Sequence, residues 1–226
     1  TNVKGLFALG ECNFSDHGAN RLGASALMQG LSDGYFVIPY TMQNYLSDQI
    51  QVPHIDTNAP EFEEAEKGVQ AEIDRIYNIK GDESVDHIHK KLYHIMWDYV
   101  GMARNEKGLK KALAMLKDIR KEFNEHVRIP GDKEGLNTEL DKAIHLRDFI
   151  TMGELIAYDA LERNESCGGH FREESQTEEG EAKRDDEHYM YVACWQYQGS
   201  DDVAPTLLKE PLNYQYIKVQ VRNYKK

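Results

Sequence analysis

The sequence predicts a mainly α fold, in which a strand, a loop and a helix are followed by an antiparallel helical bundle and a small C-terminal β region. Apolar residues recur at spacings of three and four between residues 61 and 163, which is the period of amphipathic helices. Two stretches near the C-terminus alternate apolar and polar residues, as strands do. The chain has 226 residues, of which 40% are hydrophobic, so it can bury a core, and we divide it into residues 1–50, 51–163 and 164–226.

The first part opens with the apolar run "GLFALGE", which ends at Glu11 and is bounded by glycines. This composition is typical of a short buried strand. A glycine-rich loop, "HGANRLGASAL", follows at His17–Leu27, and a helix is expected to begin near Ser25.

The second part reads as successive helices joined by short loops. A stretch "RIPGDKEG" at residues 128–135 breaks the pattern, and a further helix is expected to begin after Asn137 or Thr138, either of which can cap it, and to end near Arg163. The apolar positions that define the three preceding helices are Phe62, Ala65, Val69, Ile73 and Ile76, then Val85, Ile88, Leu92, Ile95 and Tyr99, then Leu109, Leu113, Leu116, Phe123 and Val127.

The third part begins with an acidic segment. Residues 165–187 carry nine acidic and three basic residues, which predicts either a solvated loop or a surface that binds a partner. The stretch "YMYVACWQYQ" then predicts a strand whose tyrosine-rich face, from Tyr189 to Tyr197, packs in the core or forms a protein interface. A second strand is expected at "YIKVQVRNY", where Ile217, Val219 and Val221 alternate with polar residues.

Composition excludes several classes of function. The net charge of −12 disfavours binding to a phosphate backbone, which needs clustered lysines and arginines. The three cysteines, Cys12, Cys167 and Cys194, lack the paired spacing of a zinc site or a disulfide framework. No run of 18 apolar residues occurs, so we expect any link to a membrane to come through a partner.

The glycine-rich loop has the chemistry of an anion site. A loop that opens a helix presents unpaired backbone N–H groups and the positive end of the helix dipole at one point. The guanidinium of Arg21 matches a carboxylate in two parallel hydrogen bonds, and Glu11 can accept hydrogen bonds from the hydroxyl groups of a cofactor. The alternative is structural: the glycines allow a tight turn, and Arg21 pairs with a surface acid.

Histidines provide further candidates. His17 lies in the loop and either approaches a ligand or is satisfied by the backbone. His87, His89 and His94 have a metal-like composition, but their spacing beside an apolar stripe argues against a metal site. We therefore expect no metal site, and the pattern identifies no catalytic residue.

The loop and several later segments resemble one known family. "GLFALGECNFSDHGANRLGASAL" is similar to the C-terminal flavin and substrate signature of the succinate dehydrogenase and fumarate reductase flavoproteins. The resemblance continues through "MWDYVGMARNEKGLKKAL", "ALERNESCGGHFREE", "KRDDEHYMYVACW" and "IKVQVRNY", and so covers nearly the whole chain. The short spacing between Glu11 and His17 resembles a subgroup found in anaerobic and Gram-positive bacteria.

The resemblance implies roles for matching residues. Glu11 corresponds to a flavin-contacting glutamate, Arg21 to the arginine that holds a carboxylate of the substrate, and Ala26 with Leu27 to the pair whose backbone amides face the flavin ring. Ala26 stands where many relatives have serine, which removes a hydroxyl but keeps the backbone N–H. Cys167 replaces an arginine that is usual in the "ESRGAH" segment, so the role of that arginine does not transfer.

The resemblance also implies a function for a longer parent protein. It would interconvert succinate and fumarate with FAD, hydride passing between substrate and flavin, and would send electrons through an iron–sulfur subunit to quinone in the membrane. The parent would lie on the cytoplasmic side of the bacterial inner membrane, reaching its membrane anchor subunit indirectly. The resemblance implies that the chain begins inside the last strand of the flavin domain, so residues 1–50 would be a remnant of the FAD-binding domain. We expect the fragment to be inactive and to lack FAD.

Two alternatives remain open at this point. One is an L-aspartate oxidase, which shares the loop signature, although the tail ending "VQVRNY" and the segment "DDEHYMYV" favour the dehydrogenase. The other is a structural role, in which residues 61–226 act only as a scaffold that docks the iron–sulfur subunit.

Overall fold

The computed structural model of the chain describes residues 1, 3–13, 17, 21, 23–133 and 135–220. They form two compact units: Thr1–Asp74 with Cys167–Gly169, and Arg75–Ser166 with His170–Lys226. The prediction of a mainly α fold is confirmed, because helices dominate the regular structure in these ranges. Within the same ranges, no helix is both long enough and apolar enough to cross a membrane.

A long helical segment dominates the first unit. Helix α1 (Ser25–Ser32) leads through a wide π-helical turn (Asp33–Val37) into α2 (Ile38–Ser47), which confirms the helix predicted to begin near Ser25. The strand predicted for "GLFALGE" is not formed, since residues 6–9 are irregular. The backbone has positive φ at Gly5 and Gly10, and a strand also needs a neighbour to pair with, which the described residues do not provide there.

Helix α3 (Pro60–Tyr77) confirms the first of the helices predicted after residue 60. Its apolar stripe is mostly uncovered, however, because Phe62 and Val69 are 49% and 63% exposed, and only Ile76 is buried. Ile76 belongs to the second unit, where the hydroxyl of Tyr77 donates to the carbonyl of Gly131 at 2.6 Å. The end of α3 is therefore the part that joins a core.

A bundle of three helices forms the second unit: α4 (Val85–Val100), α5 (Glu106–His126) and α6 (Thr138–Glu162). The short strand β1 (Glu83–Ser84), just before α4, pairs with β2 (Val127–Arg128), just after α5, so these two helices are antiparallel. Lys142 near the start of α6 contacts Asp86 near the start of α4 at 3.3 Å. Helix α6 therefore runs parallel to α4 and antiparallel to α5.

The core lies between these three helices. A Cβ atom at Gly153 of α6 would lie 3.1 Å from the sulfur of Met96 and 3.6 Å from a methyl of Leu116, so the missing side chain brings the helices close together. The buried apolar side chains of the bundle follow the predicted spacing and include Val85, Ile88, Leu92, Ile95, Leu109, Ala112, Leu116, Ile119, Phe123, Leu140, Ala143, Leu146, Ile150 and Ala157.

Side chains cap each of these helices at its N-terminus. The side chain of Ser84 accepts from the N–H of His87 at 3.2 Å, and that of Asn105 accepts from the N–H of Gly108 at 2.7 Å. The side-chain oxygen of Asn137 accepts from two backbone N–H groups of α6 at 3.1 Å. Asn137, one of the two predicted candidates, is therefore the cap of α6.

A β-hairpin follows the short helix α7 (Asp186–Tyr189). Strand β3 (Tyr191–Gln196) confirms the first predicted strand, and it pairs antiparallel with β4 (Thr206–Pro211), from Tyr191 opposite Pro211 to Gln196 opposite Thr206. The second strand predicted from Ile217 and Val219 is wrong through residue 220, where the chain is irregular, and Val221 lies outside the described residues. Strand β3 pairs instead with β4, which is nearer in sequence, because a nine-residue connection closes readily.

The aromatic face of β3 packs on α6. The indole N–H of Trp195 donates to the carboxylate of Asp159 at 2.9 Å, and the rings of Trp195 and Tyr158 lie 6.0 Å apart. Tyr191 is buried between two cations, with Arg163 and Lys209 at 4.7 and 4.5 Å from its ring centre. Core packing is therefore the role of these two aromatic residues.

The acidic segment is less solvated than its composition predicted. Glu165, Ser166 and Arg172 are buried, at 3%, 0% and 2% exposure. Arg172 donates to the carbonyl of Ala160 at 2.9 Å and to that of Leu161 at 3.2 Å, at the end of α6. Its guanidinium supplies donors that the last helical turn lacks, which explains why a charged residue is buried here.

A buried ion pair joins α5, α6 and the hairpin. Arg120 and Glu154 are both 8% exposed, and a guanidinium nitrogen of Arg120 lies 2.5 Å from a carboxylate oxygen of Glu154. Arg120 also contacts Asp201, in the loop between β3 and β4, at 2.9 Å, and the hydroxyl of Thr151 at 3.2 Å. This network holds the tip of the hairpin against the bundle.

We predict that a cavity at Leu116, in the core of the bundle, greatly lowers the stability of the protein. Replacing this fully buried residue in Leu116→Ala should lower the free energy of unfolding by about 2–5 kcal/mol, because the apolar contacts are lost and a void remains. The matched control is Leu136→Ala, at a side chain that is 98% exposed, and it should change stability by less than about 0.5 kcal/mol. Urea denaturation of both variants measures the difference, and equal effects would contradict the assignment of the core.

We predict that removing the buried Arg120 lowers the stability of the protein more than neutralising its exposed partner Asp201. Arg120→Met leaves the carboxylate of Glu154 buried without its cation, so the free energy of unfolding should fall by about 3–5 kcal/mol at neutral pH. Asp201→Asn removes the charge from a side chain that is 45% exposed and should cost less than about 1 kcal/mol. If Asp201→Asn proved the more damaging change in denaturant titrations, the buried pair would not be the main contact.

Candidate functional site

The N-terminus of α1 follows the glycine-rich loop that contains the predicted site residues. The residue before the helix, Ala24, has a left-handed backbone (φ 64°, ψ −9°), so the chain turns sharply after Gly23. Its carbonyl accepts from the N–H of Met28 at 3.1 Å, which closes the first turn over Ala26 and Leu27. Alanine has no oxygen with which to cap a helix, so this N-cap residue makes no side-chain hydrogen bond to the first-turn amides of the kind seen in α4, α5 and α6.

The predicted ligand-binding residues around this turn differ in their exposure to solvent. Arg21 precedes Ala24 by three residues and is exposed, and His17 is half-buried. Leu27 is 73% exposed, and Ala26 is half-buried. Residues 18–20 and 22, which join His17 to the helix, lie outside the described part of the chain.

The turn that contains Glu11 packs on α1. Gly10 begins a 3-10 turn (Gly10–Asn13), and its N–H donates to the carboxylate of Asp33 at 3.0 Å. A Cβ atom at Gly10 would lie 3.5 Å from the Cα of Gly30, so the two backbones approach closely. Gly30 is five residues after Ser25, which is about 7.5 Å along the helix. The backbone of Glu11 therefore lies about one and a half turns from the start of α1, while its side chain is outside the description.

Sequence reasoning missed the wide turn at Asp33–Val37. Such turns insert one residue into a helix and are frequent at functional sites. Here the turn contains Asp33, the acceptor for the N–H of Gly10, so it anchors the segment that includes Glu11. Gly34 within "SDGYF" was the available signal, and it is weak because glycine also occurs in ordinary helices.

A second polar cluster, also missed from the sequence, lies around His170. The ring atom Nε2 of His170 lies 2.7 Å from the carbonyl of Arg163, and Nδ1 lies 3.0 Å from a guanidinium nitrogen of Arg104. Because a carbonyl only accepts and a guanidinium only donates, these partners require a neutral ring with its proton on Nε2. Burial lowers the pKa of His170, and the nearby charges of Arg104 and Arg172 lower it further.

Arg104 also closes the end of α4. Its Nε donates to the carbonyls of Val100 and Gly101 at 3.1 and 2.9 Å. Arg104 and Arg172 thus both donate to carbonyl groups at helix C-termini, Arg104 at the end of α4 and Arg172 at the end of α6. His170 is hydrogen-bonded to Arg104. Both arginines and the histidine lie in the segments "GMARNE" and "ESCGGHFREE", which carry part of the family resemblance. That resemblance was the sequence signal that pointed to them.

The other candidates do not assemble into a site. Among the described residues, no group of three His, Cys, Asp or Glu side chains could hold a metal ion. His87 lies 3.7 Å from Glu83, and His89 packs its ring against Phe149 at 5.8 Å. These contacts, together with the ring of His94 on Tyr93 at 5.3 Å, are those of surface side chains on α4.

An open groove of about 430 Å³ lies beside the end of α5. Its lining is acidic, so it would repel an anionic ligand. The residues that line it are Asp82, Glu83, Asp118, Lys121, Glu122, Glu125 and His126. None of the predicted ligand-binding residues that the structure describes borders this groove, so the groove is not the predicted anion site.

Known proteins match most of the chain. Residues 89–224 match the family described as the C-terminal region of fumarate reductase flavoproteins. An uncharacterized FAD-dependent oxidoreductase of Methanocaldococcus jannaschii is 33% identical over 182 residues, which cover 77% of this chain and 29% of that protein. The fumarate reductase flavoprotein subunit of Haemophilus influenzae is 28% identical over 192 residues, covering 84% of this chain and 30% of that protein.

Two further comparisons bear on function. The L-aspartate oxidase of Yersinia pestis is 27% identical over 173 residues, covering 76% of this chain and 28% of that protein. The solved quinol fumarate reductase of Escherichia coli superposes with a TM-score of 0.77 at 26% identity, covering 96% of this chain and 35% of that one. The chain thus spans less than a third of the curated relatives that it matches. It belongs to the family of fumarate reductase and succinate dehydrogenase flavoproteins, whose C-terminal region it represents.

Proposed function

We propose that this chain is the C-terminal part of an FAD-dependent flavoprotein that interconverts succinate and fumarate. The observation that carries the proposal is the N-terminus of α1, whose N-cap residue Ala24 has no capping side chain and which follows Arg21 in a chain of this family. Residues 1–50 would complete the flavin domain, residues 51–163 would form a helical domain, and residues 164–226 would add the acidic segment and the hairpin. Succinate-dependent reduction of a dye by the full-length protein tests the activity, and its absence in a flavin-loaded preparation would overturn the proposal.

The start of α1 fits the pyrimidine end of a flavin ring. The amides of Ala26 and Leu27 stand at the positive end of a helix whose N-cap residue, Ala24, has no capping side chain, and Leu27 is exposed. Such amides bind a ligand oxygen or nitrogen that carries negative charge. When bound, FAD would supply the two-electron redox chemistry. The side chain of Glu11 would accept hydrogen bonds from cofactor hydroxyl groups.

Arg21 would bind the dicarboxylate. Its planar guanidinium can donate two parallel hydrogen bonds to one carboxylate, which fixes both the position and the orientation of the substrate. The side chain is exposed and precedes the helix start by only a few residues, which supports this role. His17, in the same loop, would contribute a second polar contact to the substrate.

The parent protein would act within a membrane-associated complex. The E. coli structure that this chain resembles is a quinol fumarate reductase, which supports a partner that transfers electrons. We propose that this partner is an iron–sulfur subunit, that a membrane anchor subunit is reached through it, and that the assembly lies on the cytoplasmic side of the inner membrane. Co-purification of the full-length flavoprotein with a tagged iron–sulfur subunit tests this assembly.

An L-aspartate oxidase is the second candidate, because the Yersinia pestis relative matches 76% of the chain. Both activities would use the same arginine for a carboxylate, so the site residues do not distinguish them. Supplying L-aspartate and succinate separately to the flavin-loaded protein does, since only one should reduce a dye. The fragment of 226 residues should be inactive with either substrate and bind FAD weakly, because it lacks a glycine-rich pyrophosphate loop.

The proposal predicts the effect of Arg21→Lys in the full-length protein. Lysine keeps the charge but loses the planar fork, so a charge-assisted hydrogen bond of about 1.5–3 kcal/mol is lost. Displacement of the substrate near 1 Å adds a fall in turnover of roughly a hundredfold. Steady-state kinetics should show weaker substrate binding and a large loss of turnover at normal flavin content.

The control for this change is Arg128→Lys, at an exposed arginine of the second unit. It makes the same chemical replacement and should leave the kinetics unchanged. Full succinate turnover in Arg21→Lys would show that Arg21 has only a structural role.

We also predict that Ala26→Pro, at the N-terminus of α1, weakens FAD binding. Proline is tolerated in the first turn of a helix, so this change removes one backbone N–H without breaking α1. Loss of its hydrogen bond should weaken FAD binding in the full-length protein on the order of tenfold or more. Ala26→Ser keeps the N–H and is the control, and equal FAD affinity in both variants would exclude this amide from the flavin site.

A further inference from the structure

His170 joins two helix ends to the acidic segment. The ring bridges Arg104, after α4, and the carbonyl of Arg163, at the end of α6, with contacts of 3.0 and 2.7 Å. We call these three residues the His170 clasp. Its two hydrogen bonds exist together only while the ring is neutral, because a protonated ring has no acceptor left for Arg104.

The same arginine holds the segment through its backbone. The N–H of Arg104 donates to the carbonyl of Phe171 at 3.1 Å, and the N–H of Glu173 donates to the carbonyl of Arg104 at 2.8 Å. These bonds form an isolated bridge on either side of Arg172. A movement of Arg104 away from His170 therefore strains the contacts that fix residues 170–173.

The charges around the ring oppose its protonation. Arg104 comes from the connection between α4 and α5, and Arg172 from the segment itself, and both cations lower the pKa of His170. On α6, the carboxylate of Asp159 acts in the opposite direction, but it also accepts from Trp195. Arg163 directs its guanidinium to Glu165 at 3.0 Å while its carbonyl faces the ring. The net effect of burial and charge favours the neutral form.

We propose that protonation of His170 opens the clasp and releases residues 170–173 from the ends of α4 and α6. The proton takes the Nδ1 position that Arg104 now occupies as donor, and two cations then face each other across the broken contact. The acidic segment would thereby become mobile in mild acid while the helical bundle stays folded.

The direction of the pH dependence follows from linkage. The clasp holds His170 neutral, whereas a released histidine has an ordinary pKa of about 6.5. The closed state is therefore fully favoured above about pH 6.5 and loses stability as the pH falls below that value. Because the open state binds one additional proton, the open-to-closed ratio should rise up to tenfold for each pH unit below 6.5.

Hydrogen exchange on the 226-residue chain tests this opening. The measured quantity is the protection factor, corrected for the intrinsic exchange rate, of the Glu173 amide and of amides in the core of α5. Between pH 6.5 and 5.5, protection at Glu173 should fall by up to about fivefold, while protection around Leu116 stays unchanged. A parallel loss of protection in α5 would mean global unfolding and would overturn the proposal.

Two variants isolate the histidine. His170→Gln keeps one N–H donor and one acceptor oxygen but does not titrate, so protection at Glu173 should no longer depend on pH. His145→Gln makes the same change on the exposed side of α6 and should retain the wild-type pH dependence. If His170→Gln loosened in acid as the wild type does, the clasp would not be the switch.

An NMR titration of the His170 ring in the unmodified chain provides an independent measurement if the variant fails to fold. The ring should remain neutral well below pH 6.5 and should lose its Arg104 contact as it becomes charged. A ring that titrates at or above the ordinary value for histidine would overturn the proposal.

Discussion

Burial of the inward faces of α4, α5 and α6 is the interaction on which the second unit depends. The unit gains its apolar burial mainly at this junction, and Gly153 lets α6 approach Met96 and Leu116 closely. The hairpin and the acidic segment contribute few buried apolar side chains of their own, so they hold their positions by docking on this bundle. A defect in the bundle would therefore remove the surface that both of them need.

Charged groups do much of that docking. Arg172 and Arg104 satisfy helix carbonyls, and Arg120 joins Glu154 to Asp201. Each guanidinium is partly or wholly removed from water, which costs free energy unless its donors are paired. Such pairs contribute more to a defined geometry than to net stability, since every donor has one suitable position. The His170 clasp belongs to the same class, but its ring is the member that can change charge in mild acid.

The first unit has the opposite character. Leu27 and Met28 on α1, Tyr35 and Phe36 in the wide turn, and Tyr40 on α2 are each more than 60% exposed. A helix that is apolar around much of its circumference is normally buried by other protein. This feature supports the proposal that the chain is one part of a larger flavoprotein, in which the flavin site includes residues from elsewhere.

The sequence alone determined the helices, because they depend on local information, and it predicted the candidate site through its resemblance to a family. Periodic apolar residues predicted α3 to α6, Asn137 marked the start of α6, and the segment "HGANRLG" identified Arg21 and the helix that follows it. Only the tertiary structure decided which strand pairs with β3, because pairing depends on what lies beside a strand in space and not on its alternation. The same holds for the burial of Glu165 and Arg172 within an acidic segment, where charge predicted solvent exposure. Arg172 is inside because it donates to carbonyls at the end of α6, and Glu165 is inside because it accepts from the guanidinium of Arg163 and the N–H of Asp185. No pattern along the chain reveals that these partners will lie there.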